Sequence, residues 1–178
     1  MASLLQTGRV GDSRLRGEFR VYAGACFAQW HLRVHWAERH KLLKLVLPLP
    51  AACVSRTDGI PGGQLVRRPD GNERPLRDRT LLELEGGLRL GVVCPEAFAL
   101  DATPHRVRLT LLRSPLMAHH HPHPPAHPRG TFADQGVHTF RLRLLASPGL
   151  TGRDLDLQAM MMQRPLIAAD LTRGMPGS

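Results

Sequence analysis

Hydrophobic and polar residues alternate along much of the chain, a pattern typical of half-buried β-strands. The clearest example begins at Phe27, where Trp and aliphatic residues occupy the even positions from 30 to 36 and His or Arg the odd ones. After a polar connection, residues 42–47 are largely apolar on both faces, which predicts a strand covered on both sides. We therefore expect two long strands here, with Trp30 and Trp36 on one buried face. The run at residues 38–45 also has high helix propensity, so a helix is the alternative.

Shorter alternating segments predict a series of further strands with turns between them. We expect these strands at residues 14–22, 64–66, 80–84, 88–93, 98–100, 106–112 and 138–145. Glu85-Gly86-Gly87 predicts a hairpin turn, whereas the Gly- and Pro-rich residues 57–63 predict a loop. Thr151 and Asp154 have the spacing of a helix N-terminal cap.

These elements predict the fold class: an all-β, antiparallel β-sandwich, supersandwich-like, with one short C-terminal helix at residues 154–163. The length of 178 residues fits a single domain over residues 1–178. Within it we expect a His/Pro-rich loop at residues 114–129 and a loose tail at residues 173–178.

The formal net charge is +9, and only Lys41 and Lys44 among the 24 basic residues are not Arg. Because the Arg residues alternate along strands and form no long run, we expect a solvated sheet face and no nucleic-acid partner. No run of 18 apolar residues occurs and residues 1–10 lack signal-peptide features, so no membrane association is expected. The three widely spaced cysteines predict buried free thiols in the reducing cytoplasm.

A dense histidine tract is the most conspicuous chemical feature. Imidazoles bind Zn, Cu or Ni, which makes its histidines weak metal candidates. These are His119, His120, His121, His123 and His127. Five prolines interrupt the same segment, so we expect a mobile surface loop joining two strands, without a structured metal centre.

Asp134, Gly136 and His138 precede the last predicted long strand. An Asp and a His four residues apart could form a carboxylate–imidazole pair of the kind that a general base requires. Asp-x-Gly is also ordinary turn chemistry, in which the Asp caps its own backbone. We favour the structural interpretation. No nucleophile elbow, phosphate-binding loop or zinc-protease motif occurs, so the residues alone reveal no active site.

Four segments nevertheless resemble a known family by their order. They are HLRVHWAERHKLLKL at residues 31–45, GQLVRRP at 63–69, VRLTLLRSP with ADQGVHTFRLRLL at 107–145, and QRPL at 163–166. Together they resemble the C-terminal region of α-mannosidases of glycoside hydrolase family 38. The resemblance spans roughly residues 14–166, and it departs from the family where Arg79 replaces a common Trp.

The resemblance implies a C-terminal sandwich of an α-mannosidase-like hydrolase, present without the catalytic domain that carries the Asp nucleophile and the zinc ion. It implies no cofactor in this chain, an α-mannoside as the carbohydrate ligand, a catalytic mannosidase domain or chain as partner, and inactivity alone. Arg68, with Arg67 beside it, resembles the arginine that the family's sandwich extends towards the substrate. The alternative is a stand-alone carbohydrate- or protein-binding sandwich module.

Overall fold

The computed structural model of the protein describes residues 1–116 and 132–164. They form two antiparallel β-sheets and one α-helix, which confirms the predicted all-β sandwich with a short C-terminal helix. The strands are β1 Ala2–Val10, β2 Ser13–Val21, β3 Phe27–Trp36, β4 Leu42–Pro48, β5 Cys53–Ile60, β6 Gly63–Arg67, β7 Arg74–Pro75, β8 Arg79–Leu84, β9 Arg89–Val93, β10 Ala99–Thr103, β11 Arg106–Arg113 and β12 Gly136–Ala146, and the helix is α1 Gly152–Gln163.

The larger sheet has eight strands in the order β1-β2-β3-β12-β9-β8-β5-β6, and the smaller has four in the order β4-β11-β10-β7. Their facing sides enclose the main core, because alternate residues of each strand point between the sheets. This core includes Leu32, Val34 and Trp36 from β3 and Leu100, Val107 and Leu109 from the smaller sheet.

Helix α1 forms a third layer on the opposite face of the larger sheet. Its N-terminus has the predicted capping box, in which the Thr151 hydroxyl accepts from the Asp154 N–H and the Asp154 carboxylate accepts from the Thr151 N–H. Leu155, Ala159 and Met162 bury the helix against β8, β9 and β12. Within the described residues, no helix has the length and apolar character needed to span a bilayer.

The segment from Phe27 to Pro48 forms two strands, as predicted, and the helical alternative is wrong. The two strands lie in different sheets, so their connection crosses from one layer of the sandwich to the other. The expectation that the second strand is covered on both faces is also wrong. Leu42 and Val46 of β4 are 47% and 50% exposed, because they point to the outer face of the smaller sheet and only the inner face of β4 meets the core.

Two of the longer strands differ from the sequence prediction, and the two-residue strand β7 was not predicted either. Residues 57–63, predicted as a loop, fall largely within β5, which pairs with both β6 and β8. The buried Asp58 accepts hydrogen bonds there from side chains of the neighbouring strands, which a local propensity argument does not capture. Strand β1 was not predicted, because all nine of its residues are exposed and they carry no periodic apolar pattern.

The cysteines also differ in part from the prediction. All three are free thiols, as expected, but only Cys53 and Cys94 are buried. Cys26 is exposed because it lies in the turn between β2 and β3, outside the core.

Candidate functional site

A buried ion cluster lies at the end of the sandwich where β5, β6 and β8 meet. The Asp58 carboxylate accepts a hydrogen bond from Arg67 Nη1 at 2.9 Å and another from Thr80 Oγ1 at 2.7 Å. The pairing register explains this arrangement, since Asp58 lies opposite Leu65 on β6 and Thr80 on β8. A buried carboxylate requires such partners, because an unpaired charge in the interior is strongly disfavoured.

Arg56 is the second buried charge of this cluster. Its Nη2 lies 3.6 Å from Asp58 Oδ2, and its Nη1 donates a 3.5 Å hydrogen bond to the Leu100 carbonyl across the sandwich. Neither Nε nor Nη2 has a hydrogen-bond partner among the described residues. Burial lowers the pKa of Arg56, and the nearby Asp58 opposes this shift. Arg56 on β5 of the larger sheet therefore contacts β10 of the smaller sheet, and its role is structural.

The two predicted substrate-binding residues, Arg67 and Arg68, have different surroundings. Arg67 is held from both sides, since its Nη1 donates to Asp58 and also to the Pro75 carbonyl at 3.0 Å. Arg68 is exposed and has no ion-pair partner among the described residues. The structure thus leaves Arg68 available for an external ligand, while Arg67 serves the buried cluster.

Both arginines line a small open cavity of about 330 Å³. Its other lining residues are Leu65, Asp70 and Arg74. The Asn72 side chain and its N–H, together with Arg74, lower the pKa of Asp70 to about 2. Because Asp70 is ionised and already bonded to Asn72 and Arg74, the cavity offers a fixed carboxylate beside the Arg68 guanidinium. That combination suits a ligand rich in hydroxyl groups, which both donate and accept hydrogen bonds.

The Asp134, Gly136 and His138 motif forms a backbone turn. The Asp134 carboxylate accepts from the Arg113 N–H at 2.9 Å, and the His138 imidazole Nε2 lies 2.9 Å from the Asp134 carbonyl oxygen. Asp134 and Gly136 have φ angles of 55° and 109°, which a turn requires. The geometry brings the His to the backbone of Asp134 and not to its carboxylate, so the pair lacks the contact that a general base needs.

The histidine tract, including His119, His120, His121, His123 and His127, lies outside the described residues. Just before it, Ser114 is buried, and its carbonyl accepts from the His40 N–H at 2.8 Å. Leu116 and Phe132 form an isolated β-bridge at the two ends of the segment. Over residues 1–116 and 132–164, no group of three or more His, Cys, Asp or Glu has a metal-binding arrangement.

Two carboxylates, Glu73 and Asp101, share one cation on the outer side of the smaller sheet. Lys44 Nζ lies 2.7 Å from Asp101 Oδ2 and 3.2 Å from Glu73 Oε2. The Thr110 hydroxyl lowers the pKa of Glu73, while for Asp101 the Lys44 and Arg108 hydrogen bonds outweigh the effect of burial and lower its pKa as well. A glycosidase general acid needs a raised pKa, so this pair is suited to structure and not to proton donation.

Sequence reasoning missed the Arg56–Asp58 pair. Asp58 lies in the segment 57–63, whose Gly and Pro content indicated a loop, and Arg56 directly precedes that segment; a loop gives charged residues no reason to be buried. A signal was present in the spacing, because an Arg and an Asp two residues apart occupy the same face of a strand.

These features define a two-sheet β-sandwich domain, covered on one side by a capped helix, with an arginine exposed beside a buried ion cluster. A family model described as the glycosyl hydrolases family 38 C-terminal domain matches residues 1–124. The chain therefore belongs to this family. No curated protein matches the chain.

A solved structure shows the same fold. An α-mannosidase from Enterococcus faecalis V583 superposes with a TM-score of 0.67 at 12% sequence identity. The superposition covers 86% of this chain but only 18% of that chain. The chain thus spans less than a fifth of the length of the mannosidase that it resembles.

Proposed function

We propose that the chain is the C-terminal β-sandwich of an α-mannosidase-type glycoside hydrolase and works beside a catalytic domain or chain. The match of the family model over residues 1–124 carries this proposal. The shared fold with a bacterial α-mannosidase supports it, and so does the small share of that enzyme which the chain covers. Catalysis and zinc binding then belong to the partner.

The chemistry of the described residues agrees with the assignment of catalysis to a separate domain or chain. A retaining glycosidase needs two carboxyl groups about 5–5.5 Å apart on either side of the sugar, one with a raised pKa. The carboxyl pKa values that are clearly displaced here are all lowered. The described part of the chain also has no group of three or more His, Cys, Asp or Glu that could hold a metal ion.

Arg68 is the residue that we assign to substrate positioning. It is exposed at the rim of the cavity, next to the anchored Arg67 and the ionised Asp70. A guanidinium in this position can donate hydrogen bonds to mannoside hydroxyl groups that a catalytic partner holds. Arg67 supports this by fixing the backbone on which Arg68 stands.

A stand-alone sugar-binding module is the less favoured function. Such modules stack sugar rings on exposed aromatic side chains, and this chain has only eight Trp, Tyr and Phe residues. Trp36 is buried and offers no ring face, and the half-buried Trp30 offers only part of one. The aromatic surface therefore gives this second function little support.

Reconstitution tests the proposal. The purified chain, a family 38 catalytic polypeptide from the same genome, and their equimolar mixture are assayed with an aryl α-mannoside. We expect no turnover by the chain alone, and turnover by the mixture that exceeds that of the catalytic polypeptide alone. Turnover by the pure chain that survives chelation, or a mixture no more active than its catalytic component, would contradict the proposal.

Two variants separate the roles of the paired arginines. In the mixture, Arg68→Gln is expected to raise KM about tenfold, as for loss of one hydrogen bond to a charged group, with the melting temperature of the chain unchanged. Arg67→Gln is expected to lower the melting temperature, because it leaves Asp58 with one hydrogen bond fewer. Arg106→Gln, at an exposed position on β11, serves as the matched control.

A further inference from the structure

The larger sheet carries an uncovered basic surface on the side away from the smaller sheet. We call it the arginine face, and it consists of Arg9, Arg14, Arg16, Arg33 and His35. All five side chains are exposed. Their placement follows from the strand period, since Leu32, Val34 and Trp36 of β3 fill the core and the residues between them must point outwards. Helix α1 covers β8, β9 and β12 on this side and leaves β1 and β2 open.

Like charges lie directly opposite one another across the strands of this face. Arg9 pairs with Arg14 in the β1–β2 register, and Arg16 pairs with Arg33 in the β2–β3 register. Opposed residues of an antiparallel pair have Cα atoms only about 4.5–5.5 Å apart, and like charges at such positions are destabilising. The fold therefore tolerates a local electrostatic cost on this face.

No Asp or Glu of the described residues lies within ion-pair distance of these four guanidinium groups. Of the other arginines on the same side of the sheet, Arg20 contacts Glu18 at 2.7 Å and Arg141 contacts Glu96 at 2.7 Å. Arg143 has no acidic partner among the described residues, but it is held by Gln29, Gln158 and the Phe27 ring. The contrast is local to β1, β2 and the far end of β3. The four arginines of the arginine face, which have no acidic partner among the described residues, thus lie together in one region of the sheet.

The arginine face borders an open cavity of about 600 Å³, whose lining contains no acidic residue. Arginine forks form paired hydrogen bonds with phosphate and sulfate oxygens. Four arginine side chains around one cavity therefore suit a ligand that carries several phosphate or sulfate groups.

We propose that the arginine face binds an oligosaccharide that carries phosphate or sulfate esters. The anion site follows from the charges and the cavity, whereas the choice of a saccharide rests on the proposed function. A single-stranded nucleic acid would need aromatic rings on which its bases stack, and this face has none, because Trp30 and Trp36 point to the other side of the sheet. A membrane surface would need apolar side chains among the basic ones, and arginines dominate this face.

Binding to the full chain tests the proposal without any catalytic partner. Isothermal titration is done with a phosphorylated mannose pentasaccharide, a sulfated hexasaccharide, the neutral form of each, and a single-stranded oligonucleotide. We expect one or both charged saccharides to bind, with an affinity that falls as salt is raised, and the neutral forms to bind at least about tenfold more weakly. The two charged probes distinguish phosphate from sulfate as the preferred group.

The double variant Arg16→Gln/Arg33→Gln removes one opposed pair. We expect its dissociation constant for the charged saccharide to rise about tenfold or more. Its melting temperature should stay the same or increase, because repulsion between the two guanidinium groups is removed. The control Arg106→Gln/Arg113→Gln removes the same charge from exposed positions on β11 and should bind like the parent chain.

Three results would overturn the proposal. Equal weakening by both double variants would show that only net charge matters. Equal affinity for neutral and charged saccharides would show that the anionic groups do not contribute to binding. Tighter binding of the oligonucleotide than of either charged saccharide would assign the face to nucleic acid. None of these results depends on mannosidase activity, so the proposed function and this inference can fail separately.

Discussion

Two tryptophans on the same face of β3 differ in how much of their surface the fold buries. Trp36 is 2% exposed and belongs to the core, whereas Trp30 is half-buried and lies over Gly17 of β2. Trp36→Ala is therefore expected to cost about 3–5 kcal/mol of unfolding free energy. Trp30→Ala should cost clearly less. Urea denaturation of the two variants measures the difference, and equal losses would contradict this assignment of burial.

The three thiols are expected to react very differently with a thiol reagent. Burial raises the pKa of Cys94 to about 12 and also raises that of Cys53. The thiolate is the reactive species, so both should be inert in the folded protein, while the exposed Cys26 is accessible. A colorimetric titration should find one rapidly reacting thiol per native chain and three after denaturation. Cys26→Ser should abolish the native reaction, and persistence of that reaction would contradict the prediction.

At the level of single residues, the sequence revealed candidates but not their partners. Arg67 and Arg68 are neighbours in an Arg-Arg-Pro motif, and nothing local distinguishes them. Their difference arises from Asp58, which lies on the adjacent strand and accepts a hydrogen bond from Arg67 but not from Arg68. The Asp134 motif is the converse case. Its turn chemistry is local, and the structural interpretation that we favoured from the sequence agrees with its hydrogen bonds.

Helix α1 packs on the larger sheet at a point where a side chain is missing. A Cβ on Gly91 of β9 would collide with Leu155 Cδ2 and lie 3.0 Å from Leu150 Cδ2. Gly91→Ala is expected to destabilise the protein by about 1–3 kcal/mol, because Leu155 is fully buried and cannot move aside freely. Thermal or chemical unfolding measures this loss. Gly8→Ala is the control, since a Cβ there meets no atom within 4 Å, and similar losses in both variants would argue against close helix packing.

The β1–β2 turn is joined to the β3–β4 connection through one carboxylate. Glu38 accepts from Lys41 Nζ, from the Asp12 N–H at 2.7 Å and from the Ser13 hydroxyl at 3.1 Å. The Lys41 hydrogen bond is the largest cause that lowers the pKa of Glu38 from 4.5 to about 2, burial opposes it, and the Asp12 and Ser13 contacts lower it further.

A lowered pKa in the folded state means that the ionised form stabilises folding. The contribution of Glu38 is complete above its ordinary pKa of 4.5 and is lost as the pH falls towards about 2. Glu38→Gln is expected to lower the melting temperature at neutral pH and to flatten its decline over that acidic range. Melting curves across the range check this. The exposed Glu85→Gln should behave like the parent, and a Glu38→Gln profile parallel to that of the parent would refute the linkage.

At the level of elements, the sequence predicted best where a strand meets the core on one face only. Strands β2 and β12 show the predicted alternation over much of their length because one side of each is more buried than the other, whereas residues 109–112 of β11 are buried on both sides. Strand β1 has no buried side and therefore no pattern, although its register with β2 is continuous over nine pairs. Whether β4 lay inside a sheet or at its edge depended on neighbours distant in sequence, which no local pattern encodes.

The larger sheet consists of two halves that meet only at β12. Strands β1, β2 and β3 form one half, and β9, β8, β5 and β6 form the other, with β12 paired to β3 and β9 between them. A chain ending at residue 135 is expected to lose the cooperative unfolding transition, because the two halves then share no hydrogen-bonded strand. A chain ending at residue 172 is the control and should unfold cooperatively. Circular dichroism monitors the unfolding of both chains. A single sharp transition in the shorter chain would contradict the prediction.

The central position of β12 has a consequence during synthesis on the ribosome. The seven other strands of the larger sheet leave the ribosome before β12, and local hairpins can form as they emerge. The edges of β3 and β9 must then remain unpaired until residues near 146 have been translated. Exposed strand edges are prone to pair with other chains. We therefore expect non-native pairing with other chains to be most frequent in the interval before β12 emerges.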